Sequence, residues 1–236
     1  MLWIPVASWP RDPQVFRDVL DRCTMIADPR RFCKASAKTL GVAGVGVTLL
    51  DGARLFGQVG ASDEIAVGLE WAEFALGEGP RAGAATSRRP VIDPDMVYAE
   101  CRYPLFAPAA RALGANAIFT FPFCSDASVI GTLSLYNDAP GDLSRAQLGR
   151  ASMLAEAALA MIRAMVSPCS PAEVPDRLSH VGRDREGVHQ ATGMISAQLH
   201  VSMADALGAL RARSWAANKP LSEISTAVIE RRLRLD

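Results

Sequence analysis

The stretch "SPCSPAEVP", residues 167–175, limits this chain more than any other. It holds three prolines in nine residues, and proline removes a backbone donor and clashes within regular elements. No helix or strand is expected to run through it. The sequence on its two sides has different periodicity, so it reads as a linker between two domains rather than a loop within one. At 236 residues the chain has room for two domains.

Before the linker, helix and strand signals alternate. Residues 12–40 carry two helical segments split at "ADPR". "VAGVGVTLLD" is a valine-rich strand followed by Asp51-Gly52, a hairpin signal, and "ARLFGQVG" returns as the second strand. Residues 62–75 have helical spacing up to "LGEGP", and "RPVID" is a short extended piece. Residues 105–113 are helical up to Gly114. "NAIFTFPF" and "VIGTLSLYN" give two more strands, joined at "CSDAS". Residues 144–166 form a long amphipathic helix with Ser144 as its N-cap. The sum is an antiparallel sheet with flanking helices, an α+β domain.

After the linker everything is helical. A first helix spans about 176–199, with Val188, Ala191, Ile195 and Leu199 on one face. Ser202 to Asp205 starts a second in capping-box fashion. Pro220 suits the first position of a third, which ends in "ERRLRLD". This is a small all-α three-helix bundle. Gly193 lies inside the first helix, where glycine costs roughly 1 kcal/mol relative to alanine. Ala191 and Gly193 are small enough for another helix, or a binding partner, to come close.

Charge and cysteine content exclude several classes. The formal net charge is zero, so no global field draws the chain to nucleic acid or an anionic membrane. Residues 176–236 carry nine basic and seven acidic side chains, so any anion binding there is local. The five cysteines (Cys23, Cys33, Cys101, Cys124 and Cys169) form no C-x-x-C, which argues against a zinc knuckle or a disulfide framework. "MLWIPVASWPRD" lacks the basic start of a signal peptide, and no run of 18 apolar residues occurs. A reduced, cytoplasmic protein without a membrane span is expected. His189 and His200 stand eleven residues apart, about 16 Å along a helix, too far to share a metal. "GEGPRAG" lacks the G-K-[ST] of a phosphate loop and reads as a turn. The first domain has no histidine and no grouped nucleophile, base and orienter, so no catalytic residue, metal or cofactor is assigned.

Residues 189–233 resemble the ANTAR domain, an RNA-binding module of transcription antitermination regulators. The resemblance rests on Gln190-Ala191-x-Gly193-Met194, Ser202, Ala206-Leu207, Leu210-Arg211, Asn218 and Leu221, in order over about 50 residues. It implies an RNA-binding face of Gln190, Thr192, Gly193, Arg211, Arg213, Asn218 and Lys219, directed at a hairpin-loop leader transcript. Gln190 and Asn218 would read base edges, and Arg211, Arg213 and Lys219 would hold phosphates. Thr192 stands where the family often has a basic residue, and Ser214 and Ser225 stand where it usually has alanine.

Residues 12–166 resemble a GAF domain, a sensor fold, through "LGEGPRAGAATSRRPVIDPD", the paired strands and the long helix. The resemblance implies a pocket for a small-molecule ligand, for which Trp71, Phe74, Phe106 and Phe121 are the candidate lining. The expected organisation is an N-terminal extension at 1–11, a GAF-like sensor domain at 12–166, a linker at 167–175 and an ANTAR-like domain at 176–236. The expected function is non-enzymatic: signal-responsive, RNA-binding antitermination. Two alternatives stand beside it: a cysteine-dependent methionine sulfoxide reductase of the GAF type using Cys101 and Cys124, and a ligand sensor acting through a protein partner or DNA. A homodimer is expected through the apolar stripe Leu148, Met153, Ala157, Met161 and Met165.

Overall fold

The computed structural model describes residues 28–51, 54–125, 128–166, 185–217 and 219–235. They fall into two compact units, one containing a sheet and its helices, the other the last three helices.

In the first unit, helix α1 (Pro29–Leu40) starts where Asp28 accepts from the N–H groups of Arg30 and Arg31. It ends at Gly41 in the left-handed conformation. Strands β1 (Gly44–Asp51) and β2 (Arg54–Ala61) follow as the antiparallel pair expected on either side of Asp51-Gly52. Next come α2 (Glu64–Leu76), α3 (Pro80–Ser87), β3 (Val91–Asp93), α4 (Met96–Ala99) and α5 (Phe106–Ala112). Strands β4 (Ala117–Ser125) and β5 (Ser128–Asn137) form a second antiparallel pair. The long α6 (Arg145–Val166) closes the unit. Ser144 caps it as a reciprocal box: the Gln147 N–H donates to Ser144 Oγ, and the Ser144 N–H donates to Gln147 Oε1 at 2.9 Å.

The sheet has five strands in the order β2-β1-β5-β4-β3, and every pairing is antiparallel. Strand alternation divides its residues into two sets. Val45, Val47, Leu49, Phe119, Phe121, Phe123, Leu133 and Leu135 make one face, closed by Phe32, Cys33 and Leu40 of α1 and by Leu154, Ala158 and Met161 of α6. That is the main hydrophobic core. The stripe on α6 that suggested a dimer is used here. Ala157 and Met161 belong to this core, Met153 is buried, and Leu148 and Met165 pack against the core. The periodicity was the ordinary one of a helix lying on its own sheet, so it gives no argument for a second copy.

"GEGPRAG" is not a turn alone. Its second half opens α3, an eight-residue helix. The helix went unread because its N-terminal cap comes from elsewhere in the chain, as described below.

The second unit contains α7 (Glu186–Leu199), α8 (Met203–Ala217) and α9 (Leu221–Ile229). Val188, Ala191, Ile195, Ala206, Leu210, Leu221, Ile224 and Val228 are buried among them. The Asp205 N–H donates to Ser202 Oγ at 3.1 Å, the expected cap of α8. Pro220 stands one position ahead of its expected place, as the N-cap of α9. The proposed start of the first helix at 176 falls outside the described residues, as does the linker. Among the described residues, no helix is long and apolar enough to cross a membrane.

Candidate functional site

The second face of the sheet is unusual because it is buried and polar. Thr48, Thr120 and Thr132 are fully buried there, and Ser134 and Tyr136 are nearly so. Helices α2 and α3 lie over this face. Thr48 and Thr132 are direct cross-strand partners, and neither hydroxyl has a hydrogen-bond partner among the described residues. Thr120 and Ser134 share a bond at 3.3 Å. A buried hydroxyl without a partner costs about 1–3 kcal/mol, so two side by side need an explanation. A gap further along the sheet, which none of the three threonines lines, is bounded by Gly46, Ala66, Leu69, Arg81, Ser134 and Tyr136. It measures only about 10 Å³, on the order of one water.

Arg81 reaches this gap because Glu73 holds it there. Both side chains are buried. Glu73 Oε1 accepts from the Arg81 N–H at 2.6 Å, and Oε2 accepts from the Arg81 guanidinium. The carboxylate of α2 thus caps α3, satisfying an N–H that a helix start leaves open. Arg81 Nε has no partner among the described residues. Burial pushes the Glu73 carboxyl up, against the opposing pull of Arg81. Glu78 does the same for α5, accepting from the N–H groups of Leu105 and Phe106 at 2.6 and 2.9 Å. At the far end of the face, the Tyr136 hydroxyl donates to Asp63 at 3.0 Å. Burial and that bond both raise its pKa. The gap has room for about one water, which Arg81 Nε and the Ser134 hydroxyl would meet. It has no grouped nucleophile and base.

The four aromatic residues expected to line a pocket are not gathered into one. Trp71 and Phe74 are neighbours, with ring centroids 5.7 Å apart. Phe106 packs edge-on to Tyr103 at 6.4 Å. Phe121 lies on the opposite, apolar face, because strand alternation groups it with Phe119 and Phe123. None of the four lines the gap at Arg81. The signal that could have located the polar face is the alternation in "FTFPF" and "TLSLY", which normally marks a solvated face.

The cysteines are also separated. Cys33 is buried in the core, Cys101 is exposed and donates to the Tyr98 carbonyl, and Cys124 is half-buried. Cys101 adjoins Arg102, which binds Asp93, and Asp93 pairs with Ile118. Cys124 lies on β4 six residues beyond Ile118, about 20 Å along the strand from that residue at 3.3 Å per residue, and both cysteines are free thiols. A disulfide needs Cα atoms within about 7 Å. Cys23 and Cys169 lie outside the described residues.

In the second unit, Gln190 is exposed on α7 and Ala191 is fully buried beneath it. Gly193 faces open space, since a Cβ built on it meets nothing within 4 Å. Thr192 does not join this surface. It is buried, and its hydroxyl donates to the Val188 carbonyl at 2.6 Å, so it packs the bundle rather than meeting a partner. Arg213 is exposed, Arg211 is half-buried, and Lys219 is exposed but bonded to Glu223. Asn218 lies outside the described residues. Ser214 and Ser225 satisfy their hydroxyls on the carbonyls of Lys219 and Leu221. Sequence reasoning missed Trp215, which is 66% exposed and one helical turn from Arg211.

Residues 30–163 match the family described as the GAF domain, over more than half of the chain, and the chain belongs to that family. It is similar to the GAF domain of a phosphoenolpyruvate-protein phosphotransferase from Acinetobacter. That likeness has 16% identity and a TM-score of 0.51, and covers 67% of this chain and 96% of that one. It is also similar to the GAF domain of a phosphoenolpyruvate-protein phosphotransferase from Coxiella burnetii (13% identity, TM-score 0.46, 66% and 95% coverage). A third likeness is to free methionine-R-sulfoxide reductase from Neisseria meningitidis (16% identity, TM-score 0.39, 66% and 96% coverage). Such identities speak to fold alone, and of the three only the Acinetobacter likeness is close enough to support it. No curated protein is similar to this chain.

Proposed function

We propose that this chain is a signal-responsive regulator that binds RNA. The GAF domain senses a small-molecule signal. The C-terminal helices act as an ANTAR-like module that binds a hairpin-loop leader transcript and favours an antiterminator over a terminator. The protein works by binding, not by catalysis.

One observation carries the RNA half of this reading. Gln190 is exposed next to Gly193, where the helix surface is open, while Ala191 and Thr192 pack inward. An amide that donates and accepts, beside a surface without side chains, suits an unstacked base pressed close to the helix. Packing alone does not call for glycine at a position that touches nothing. The Thr48 and Thr132 hydroxyls and Arg81 Nε support the sensing half, since a polar ligand would give them partners.

Coupling between the halves requires that the ligand favour one arrangement of the protein over another. A homodimer would bring two bundles to two loops of one RNA and raise affinity through effective concentration. The deciding experiment is recovery of cellular RNA on the full-length protein. Enrichment of transcripts with paired hairpin loops supports the reading, and recovery of DNA or a protein alone rejects it.

A further inference from the structure

The chain beyond α9 stays on the bundle. Ile229 Cδ1 lies 3.8 Å from where a Cβ on Gly187 would stand, so α9 ends beside the first turn of α7. Arg231 then takes a φ of 57°, and the N–H groups of Arg232 and Leu233 both return to the Ala227 carbonyl, at 2.8 and 3.0 Å. This turns the chain back. At its end the Leu235 carbonyl accepts from Gln198 Nε2 at 2.9 Å, in the last turn of α7. Gly187 and Gln198 are about 16 Å apart along the helix axis. The tail therefore doubles back from the end of α9, beside the first turn of α7, and ends on the last turn of α7, a strap anchored at those two points.

The strap runs beside the surface already singled out. At 3.6 residues per turn, Gly187, Met194 and Gln198 share one edge of α7, and Gln190 and Ala197 occupy the next row. Gly193 lies one row further. Leu233 and Leu235 of the strap are half-buried, while Arg231, Arg232 and Arg234 are exposed. Arg232 is bonded to Glu230. The side chains of Arg231 and Arg234 make no hydrogen bond or ion pair among the described residues.

We propose that this strap supplies the phosphate contacts of the α7 face. Arg231 and Arg234 hold the sugar-phosphate backbone while a base meets Gln190 above Gly193. The inference rests on the RNA-binding reading and changes its cations. Lys219 is bonded to Glu223, whereas the two strap guanidiniums are exposed and able to bind phosphate in bidentate fashion. With no net charge on the chain, such local groups must supply the attraction.

The test is titration of the full-length protein with a two-loop hairpin RNA pool, its loops randomised, at several salt concentrations. Arg231→Ala/Arg234→Ala should lower the slope of log affinity against log salt by about 1.5, for two lost phosphate contacts. It should weaken binding to all loop sequences alike. Arg231→Lys/Arg234→Lys should keep most of the slope, and should serve as the comparison if the alanine protein melts lower. Wild-type slope and affinity in the alanine protein would overturn the strap and leave the RNA reading standing. A wild-type protein that ignores the RNA pool, or binds anionic lipid vesicles in its place, would overturn both.

Discussion

Glu73 accepts from both the backbone N–H and the guanidinium of Arg81, with neither side chain more than 3% exposed. The pair joins α2 to the start of α3 and sets the arginine against the polar face of the sheet. Removing one member of a buried pair strands the other, at about 3–5 kcal/mol. Glu73→Ala should therefore lower the urea midpoint steeply, while Glu73→Met/Arg81→Leu should recover much of the loss. Gly79→Ala should also destabilise. A Cβ there falls 2.5 Å from Glu73 Cδ, and its φ of 151° disfavours any side chain.

Asp93 gives a pH signature. It is fully buried, and burial raises its pKa above the ordinary 3.8, against the pull of Arg102. The folded state therefore holds this proton more tightly than the unfolded chain does. The resulting stability is fully present below the ordinary pKa and is lost as pH rises through the raised one. Asp93→Asn cannot titrate. The stability difference between Asp93→Asn and wild type should move in favour of the variant as pH rises from about 4 towards neutrality. Denaturant unfolding at stepped pH measures it, and Glu73, shifted in the same direction, contributes equally to both proteins' backgrounds.

The facing hydroxyls of Thr48 and Thr132 separate sensing from packing. Without ligand, Thr48→Val/Thr132→Val should raise the melting temperature, because two unpartnered hydroxyls are replaced by methyl groups. The variant should also lose stabilisation by any small molecule that raises the wild-type melting temperature. Equal ligand response in the two proteins would place the ligand elsewhere.

The residues show why the first unit was legible in part. Strands β1, β4 and β5 alternate cleanly, and Ser144 and Ser202 cap their helices from within three residues, so short windows contain the whole signal. Helix α3 is different: its cap is Glu73, eight residues from Arg81, and its own residues are small. The burial of Thr120, Thr132 and Ser134 depends on two helices folding over them, which alternation alone cannot convey. In the bundle, Gln190 was placed correctly on the surface. Thr192 was not, since its spacing from Val188 allows its hydroxyl to bond one turn back inside the core.

Gly193 should separate stability from binding. A side chain at this position meets nothing within 4 Å, so Gly193→Leu should fold, and with a gain of up to about 1 kcal/mol from helix propensity. The same side chain should block close approach of an RNA base. Higher melting temperature with weaker RNA binding is the expected pair of changes.

The central claim is that the exposed face of α7 reads RNA, and Gln190→Ala tests it most directly. The measurement is affinity for a two-loop hairpin RNA that the wild-type protein binds, against a scrambled control, with the melting temperature recorded in parallel. Removing the amide should cost about 1–3 kcal/mol of hairpin binding, the worth of a good base contact. The melting temperature should hardly move, because the side chain is exposed. Unchanged hairpin affinity in the alanine protein would contradict the account.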